Sequence, residues 1–188
     1  MILVTGGAGF IGSHTCVALA GIAFIVLDNL CNSRRSVLAR MERITGAPVP
    51  FVEGDVRDGS MLDHVLTQHP IDAVIHFAAL KSVGDSVRDP LRYYDNNVAG
   101  TVNLLRAMQT AQVRTLVFSS SATVYGEPEI VPIAEDAPLS PQNPYGATKV
   151  MMEQVLADVC AAEPGQWRIA RLRYFNPVGA HESGLIGE

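Results

Sequence analysis

Short apolar runs recur along the chain, each closed by a glycine-rich or polar turn and followed by a stretch with helical spacing. Ile2, Leu3 and Val4 open the series. They are apolar without alternation, the pattern of a strand buried on both faces of a parallel sheet. Further strands are predicted at residues 24–27, 49–52, 71–77, 115–118 and 167–172. Helical spacing follows the first strand at residues 16–19, and helices are predicted over 36–43, 59–68 and 91–112, the last entered by Pro90. Asn143 and Pro144 suit the cap and first position of another helix, with Met152, Val155, Leu156 and Val159 on its apolar face. Strands alternating with helices predict an α/β fold, a doubly wound parallel sheet with helices on both faces. Residues 127–141, rich in Pro and acidic residues and without periodicity, predict a long lid or binding loop. No repeat of solenoid period interrupts this order.

Composition narrows the picture in three ways. With 188 residues, 48% of them hydrophobic, the chain can bury the core of one substantial domain. Its formal charge of −5 argues against a nucleic-acid partner. No apolar run approaches the ~18 residues of a membrane span, and nothing at the N-terminus resembles a signal peptide, so a cytoplasmic location is expected. Cys16, Cys31 and Cys160 lack C-x-x-C spacing and the five histidines are dispersed, so neither disulfides nor a metal are expected.

The chemistry begins in the first turn. Gly6, Gly9 and Gly12 stand between the first strand and its helix, in G-x-x-G-x-x-G rather than G-x-G-x-x-G spacing. Strand, glycine turn and helix form the context in which a diphosphate sits on a helix N-terminus, where free N–H groups and the dipole favour negative charge. A Cβ at Gly6 or Gly9 would hold the backbone off the phosphates, and Gly12 lets helix and strand pack closely. The triplet alone also fits an ordinary tight βα turn. Asp28, at the end of the second strand and 16 residues past Gly12, strengthens the dinucleotide reading. An acid near that ~20-residue offset accepts from the adenosine ribose hydroxyls and repels a 2′-phosphate. NAD is the expected cofactor, in a Rossmann fold. Asp55 after the third strand suits either the adenine amino group or a helix N-cap. Ala78 and Ala79 after the fourth would let a ribose lie close, while Lys81 reads as a loop lysine. Asn96 and Asn97, poor helix formers, bring amides to a nearby site.

Hydroxyls gather at Ser119, Ser120 and Ser121, the carboxyl end of the fifth strand, where doubly wound sheets place their active crevice. Tyr145 and Lys149 stand four apart at the start of a helix and so share a face. A phenol of pKa near 10 is a poor base at neutral pH, but a neighbouring ammonium favours phenolate. With Ser121 to share the substrate oxygen, the set suits removal of an alcohol proton while carbon gives up hydride.

The chain resembles the UDP-glucose 4-epimerase family of the extended short-chain dehydrogenase/reductases. The resemblance rests on Thr5-Gly-Gly-Ala-Gly-Phe-Ile-Gly-Ser-His14, Leu27-Asp-Asn-Leu-Cys-Asn-Ser33, His76-Phe-Ala-Ala-Leu-Lys81, Tyr93-Tyr-Asp-Asn-Asn-Val98, Phe118-Ser-Ser-Ser-Ala-Thr-Val-Tyr-Gly126, Tyr145-Gly-Ala-Thr-Lys149 and Arg173-Tyr-Phe-Asn-Pro-Val-Gly-Ala-His181. It implies that Phe10 and Ile11 join the glycines around the diphosphate. Asp28, Asn29, Leu30, Cys31, Asn32 and Ser33 would surround the adenosine ribose, and Asp55 and Val56 would flank adenine. Phe77, Ala78, Ala79, Leu80, Lys81 and Asn96 would line the path to nicotinamide. Ser121, Tyr145 and Lys149 match the catalytic trio, itself in contact with the cofactor, and Phe175 would touch NAD. Asn176, with Lys81, Ser121 and Tyr145, would meet a UDP-hexose. The implied reaction oxidises hexose C4, turns the 4-keto sugar over and returns hydride to its other face, interconverting UDP-glucose and UDP-galactose.

Residues 1–175 are then the NAD-binding domain and 176–188 the start of a substrate region whose remainder is missing, so the chain alone is expected to be weak or inactive and the full-length protein a homodimer. Two residues fewer than the family pattern separate Cys16 from Asp28. A 4,6-dehydratase would need an Asp-Glu pair where Ala122 and Thr123 stand. A non-catalytic NAD-binding module would have little use for Ser121, Tyr145 and Lys149 together.

Overall fold

A computed structural model describes residues 1–188. Its six strands are β1 (Ile2–Thr5), β2 (Phe24–Asp28), β3 (Phe51–Glu53), β4 (Ala73–His76), β5 (Thr115–Ser121) and β6 (Arg168–Tyr174). All pairings are parallel, in the order β3-β2-β1-β4-β5-β6. The order reverses between β1 and β4, which opens a crevice beyond the carboxyl ends of these strands. The helices are α1 (Phe10–Ala18), α2 (Ser36–Thr45), α3 (Gly59–Gln68), α4 (Val83–Arg88), α5 (Pro90–Tyr93), α6 (Gly100–Thr110) and α7 (Pro144–Ala162). Leu3, Leu27, Val74, Leu116 and Phe118 pack with Leu62, Leu104, Met108, Met152 and Leu156 from α3, α6 and α7 in the larger core. Val4 and Val26 pack with Cys16, Leu38 and Met41 of α1 and α2 in a second. No helix is long and apolar enough to cross a membrane.

The expected elements form, with instructive displacements. β3 begins at Phe51 because Pro50 has no N–H for the ladder, although its carbonyl still accepts from Val26 at 2.9 Å. β5 runs on past the apolar signal because Ser119, Ser120 and Ser121 pair with Leu172, Arg173 and Tyr174. The helix expected over 91–112 divides: α5 passes into a π-helical turn, Tyr94–Ala99, before α6. The wider turn buries both Asn96 and Asn97. Helix α4 carries no apolar face to announce it, since Val83 and Val87 are exposed. It starts on Ser82, which accepts from the Asp85 N–H. The short α1–β2 connection closes through Gly21 at φ +87° and leaves β2 in register, with Phe24 opposite Ile2.

Candidate active site

At the crevice, Gly9 precedes α1 as a cap without a side chain, so no side chain competes for the N–H groups of the first turn. Each glycine has its own reason. Gly6 has φ +71°, and a Cβ there would lie 2.6 Å from the Ala78 nitrogen; at Gly12 it would lie 2.3 Å from the Gly6 oxygen. At Gly9 it would meet nothing nearer than 3.3 Å. Gly6 therefore serves the packing of the loop on the β4 end, a different reason from the phosphate approach expected of it. Of the three, Gly9 is the position where a Cβ would meet the least of the protein itself.

That cleft has a volume of about 750 Å³, a size that suits a dinucleotide. It is lined by Gly6, Gly9, Phe10, Ile11 and Gly12, then by Asp28, Asn29, Cys31, Asn32 and Ser33, and by Val56. Phe77, Ala78, Ala79, Leu80, Lys81 and Asn96 line it from the β4 side. Asp28 is buried and organises one end: its carboxylate accepts from the Ala8 N–H (3.1 Å), the Leu30 N–H (2.8 Å) and Ser33 Oγ (3.0 Å). These bonds hold Leu30 at φ +57°, a conformation costing a branched side chain about 1–3 kcal/mol. Leu30 thus shapes the turn without lining the cleft.

Asp55 does not line the cleft and does not cap α3. Asp58 caps it, accepting from the Met61 N–H. Asp55 instead holds Arg57 through two side-chain contacts (3.0 and 2.8 Å) and accepts from Asn29 Nδ2 at 2.9 Å. Hydrogen bonds from Arg57 keep its carboxyl well below the usual carboxylate range, against the opposing effect of burial. Phe175 and Asn176 are exposed and outside the cleft lining. Lys81 is exposed and donates to Glu188 Oε1 at 2.9 Å.

The expected trio comes together at the end of β5. Asn143 caps α7, accepting from the Gly146 N–H at 2.9 Å, and Pro144 takes the first turn. Tyr145 and Lys149 thereby face the strand, with Lys149 Nζ 5.9 Å from the Tyr145 ring centre. Lys149 is buried, donates to the Ser119 carbonyl at 2.7 Å and lies 5.0 Å from the Phe118 ring centre. Burial pulls its ammonium down to about 8, with Glu153 opposing. Burial pushes the Tyr145 phenol up, the Ser121 hydroxyl counteracts, and Tyr93 adds to the rise. The lowering expected from Lys149 is therefore not met within the chain: the ammonium is turned to the Ser119 carbonyl. Ser121 Oγ accepts from Thr123 Oγ1 at 2.9 Å, which leaves its own proton free for another acceptor. Tyr93 lines the cleft and raises the Tyr145 phenol, whereas Ser121, Tyr145 and Lys149 themselves lie outside the cleft lining.

Two residues, His76 and Glu153, escaped sequence reasoning, while Asn97, expected to bring an amide to a nearby site, holds the loop after β4. Asn97 pairs with Leu80 like a strand neighbour, accepting from its N–H (2.8 Å) and donating to its carbonyl (3.0 Å), and so fixes the loop before Lys81. His76 is bracketed by Thr5 Oγ1 (2.6 Å) and Thr101 Oγ1 (2.9 Å), and burial pulls it down to about 3. Glu153 is buried beneath the trio. Its signal was an acid one turn past Lys149, on an otherwise apolar face.

The model of the NAD dependent epimerase/dehydratase family matches residues 2–187. The chain belongs to that family. Among curated relatives, a UDP-glucose 4-epimerase of Yersinia pestis is 58% identical over 190 aligned positions, covering 100% of this chain and 56% of the relative. The chain thus spans little more than half the length of the relatives it matches. Among solved structures, a UDP-glucose-4-epimerase from Stenotrophomonas maltophila with bound NAD and formylated UDP-arabinopyranose has a TM-score of 0.96 at 54% identity. One from Bifidobacterium longum in complex with NAD+ and UDP has a TM-score of 0.95 at 52%. Each covers 100% of this chain, which in turn spans 56% of theirs.

Proposed function

We propose that this chain carries the NAD site and the catalytic groups of an enzyme that interconverts UDP-glucose and UDP-galactose by inversion at hexose C4. The observation that carries the reading is the meeting of Ser121, Tyr145 and Lys149 beside a dinucleotide-sized cleft. NAD, when bound, supplies the hydride acceptor and donor and a positive ring charge. The glycine loop and the open first turn of α1 hold its diphosphate, and Asp28 takes the adenosine ribose. Tyr145 accepts the proton of the C4 hydroxyl as phenolate, a form favoured by the Ser121 hydroxyl and by the positive ring charge of bound NAD. Ser121 donates to the same substrate oxygen and keeps it in line. After the 4-keto sugar turns over, Tyr145 returns the proton and no net oxidation remains.

Residues 1–175 form the cofactor unit in this reading, and Asn176 opens the substrate region. The reading extends to a homodimer in the cytoplasm. The groove between α6 and α7, in which Val102, Leu105, Val155, Val159 and Trp167 alternate with Arg106, Gln109 and Glu163, supports the dimer, and the three free cysteines suit a reducing compartment.

The test is a full-length version assayed for interconversion of the two UDP-hexoses with no added reductant. Turnover is expected, with Tyr145→Phe lowering kcat by about 10²–10⁴-fold. A wild-type protein that binds NAD yet interconverts neither sugar would defeat the reading.

A further inference from the structure

Three consecutive serines of β5 meet three residues of α7 spaced one turn apart. The Ser119 carbonyl accepts from Lys149 Nζ at 2.7 Å, Ser120 Oγ donates to Glu153 Oε1 at 2.5 Å, and the Ser121 hydroxyl faces the Tyr145 phenol. Two of these contacts belong to the trio; the Ser120 contact does not. Glu153 is 2% exposed, and a carboxylate so deep costs several kcal/mol unless it is paired and hydrogen-bonded. Arg173 of β6 supplies the pair through Nε (2.9 Å) and Nη2 (2.6 Å), with Arg171 Nη1 at 3.7 Å. Arg173 also reaches the Tyr125 hydroxyl (2.5 Å) and the Glu135 carbonyl (2.9 Å) in the 127–141 loop. Burial pushes the Glu153 carboxyl up, but hydrogen bonds from Arg173 and Ser120 and the two arginine charges leave it below its usual range. It stays ionised at neutral pH.

We propose that Glu153 is the positioning residue of this site: clamped by Ser120 and Arg173, it fixes the helix bearing Tyr145 and Lys149 on β5 and β6 and keeps a negative charge one turn from the Lys149 ammonium. The inference rests on the proposed function for its catalytic meaning, and on packing alone for its geometry. Lys149 is faced on α7 by Tyr145 and Glu153, on β5 by the Phe118 ring and the Ser119 carbonyl, and from β4 by His76, which is neutral. On β6, Arg171 and Arg173 face Glu153. Glu153 is thus the one anion that supports the lysine charge, and its effect opposes the dominant burial. Glu153 and Arg173, like Lys149 and Tyr145, lie outside the cleft lining, and their influence travels through the contacts they make with the trio's helix and with the loop.

Lys81 and Lys149 are the only lysines of the chain, so isotope-labelled lysine gives two resonances, separable by exposure. Glu153→Gln keeps an acceptor for Ser120 and removes the charge. The Lys149 titration is expected to move down by about half a unit or more. Arg173→Gln removes the cation that neutralises Glu153, so the titration is expected to move up. Glu153→Asp should bring it back toward wild type. In the full-length enzyme, the alkaline limb of kcat should follow the same signs, with KM for the UDP-hexose within about twofold of wild type. Unmoved titrations, or shifts of one sign in both Glu153→Gln and Arg173→Gln, overturn the inference. Should Glu153→Gln fail to fold, the upward shift in Arg173→Gln still decides. An inactive wild-type enzyme would defeat the proposed reaction while the lysine titration still tests the positioning role.

Discussion

A methyl group added at Gly12 would sit 2.3 Å from the Gly6 oxygen and 2.7 Å from the Gly7 Cα, whereas one added at Gly9 would meet only the Gly6 oxygen, at 3.3 Å. The two substitutions therefore separate packing from ligand approach. Gly12→Ala forces backbone apart where α1 meets the glycine turn after β1, a change expected to cost about 3 kcal/mol. Gly9→Ala is expected to fold with less than about 1 kcal/mol of loss, yet to weaken NAD tenfold or more by filling the space the diphosphate needs. Thermal melts with calorimetric NAD titrations read both. A Gly12→Ala chain as stable as wild type, or a Gly9→Ala chain that binds NAD normally, would undo the respective assignment. At this scale the sequence could anticipate where Gly9, Gly12, Asp28, Tyr145 and Lys149 stand, because each has a fixed offset from a strand or helix start. Asp55, read as either an adenine contact or a helix cap, and Phe175, assigned to the cofactor by resemblance, both lie outside the cleft lining. Asp55 is occupied by Arg57, and Phe175 stands in solvent.

Elements meet at His76, which joins β1 through Thr5, β4 through its own backbone and the start of α6 through Thr101. Its folded value of about 3 lies below the ordinary 6.5, chiefly through burial, with the Lys149 charge adding to the effect. Below pH 6.5 the unfolded chain binds a proton that the native chain refuses until about pH 3. Stability is thus fully present above 6.5 and falls with pH by up to about 1.4 kcal/mol per unit. Asp55 and Glu153 are held low instead, so they begin to cost stability only near the ordinary carboxylate values, about 4. The window from pH 6.5 to 5 therefore isolates the histidine. Denaturant melts of wild type and His76→Gln should differ in slope there, the variant being the flatter; equal slopes would contradict the role. Periodicity found the strands and long helices because each buries an apolar stripe. It could not find the π turn at Tyr94–Ala99, where tertiary bonds from Asn97 to Leu80 set the winding. Nor could it find α4, held by the Ser82 cap without an apolar face.

Across the molecule, the cleft is lined by residues drawn from Gly6 to Glu188, while Asn176, the residue expected to meet the sugar nucleotide, is exposed and outside that lining. Cofactor binding and turnover should therefore separate in the 188-residue polypeptide. NAD at 100 times its Kd should stabilise the fold by about 2.7 kcal/mol, a rise in Tm of about 5–10 °C for a domain of this size. NADP should give far less. Its 2′-phosphate would approach the carboxylate of Asp28, which is 8% exposed and poorly screened. Arg34 lines the same cleft with the opposite charge, but it is exposed and screened by solvent. The buried charge should prevail. UDP-galactose given to the NAD-loaded polypeptide should turn over far more slowly than with a full-length version, because positioning of the hexose, which supplies several kcal/mol of barrier lowering, needs contacts beyond the cleft. Equal stabilisation by NADP and NAD would sink the role of Asp28, and full epimerase rates from the 188 residues would sink the division between cofactor unit and substrate region.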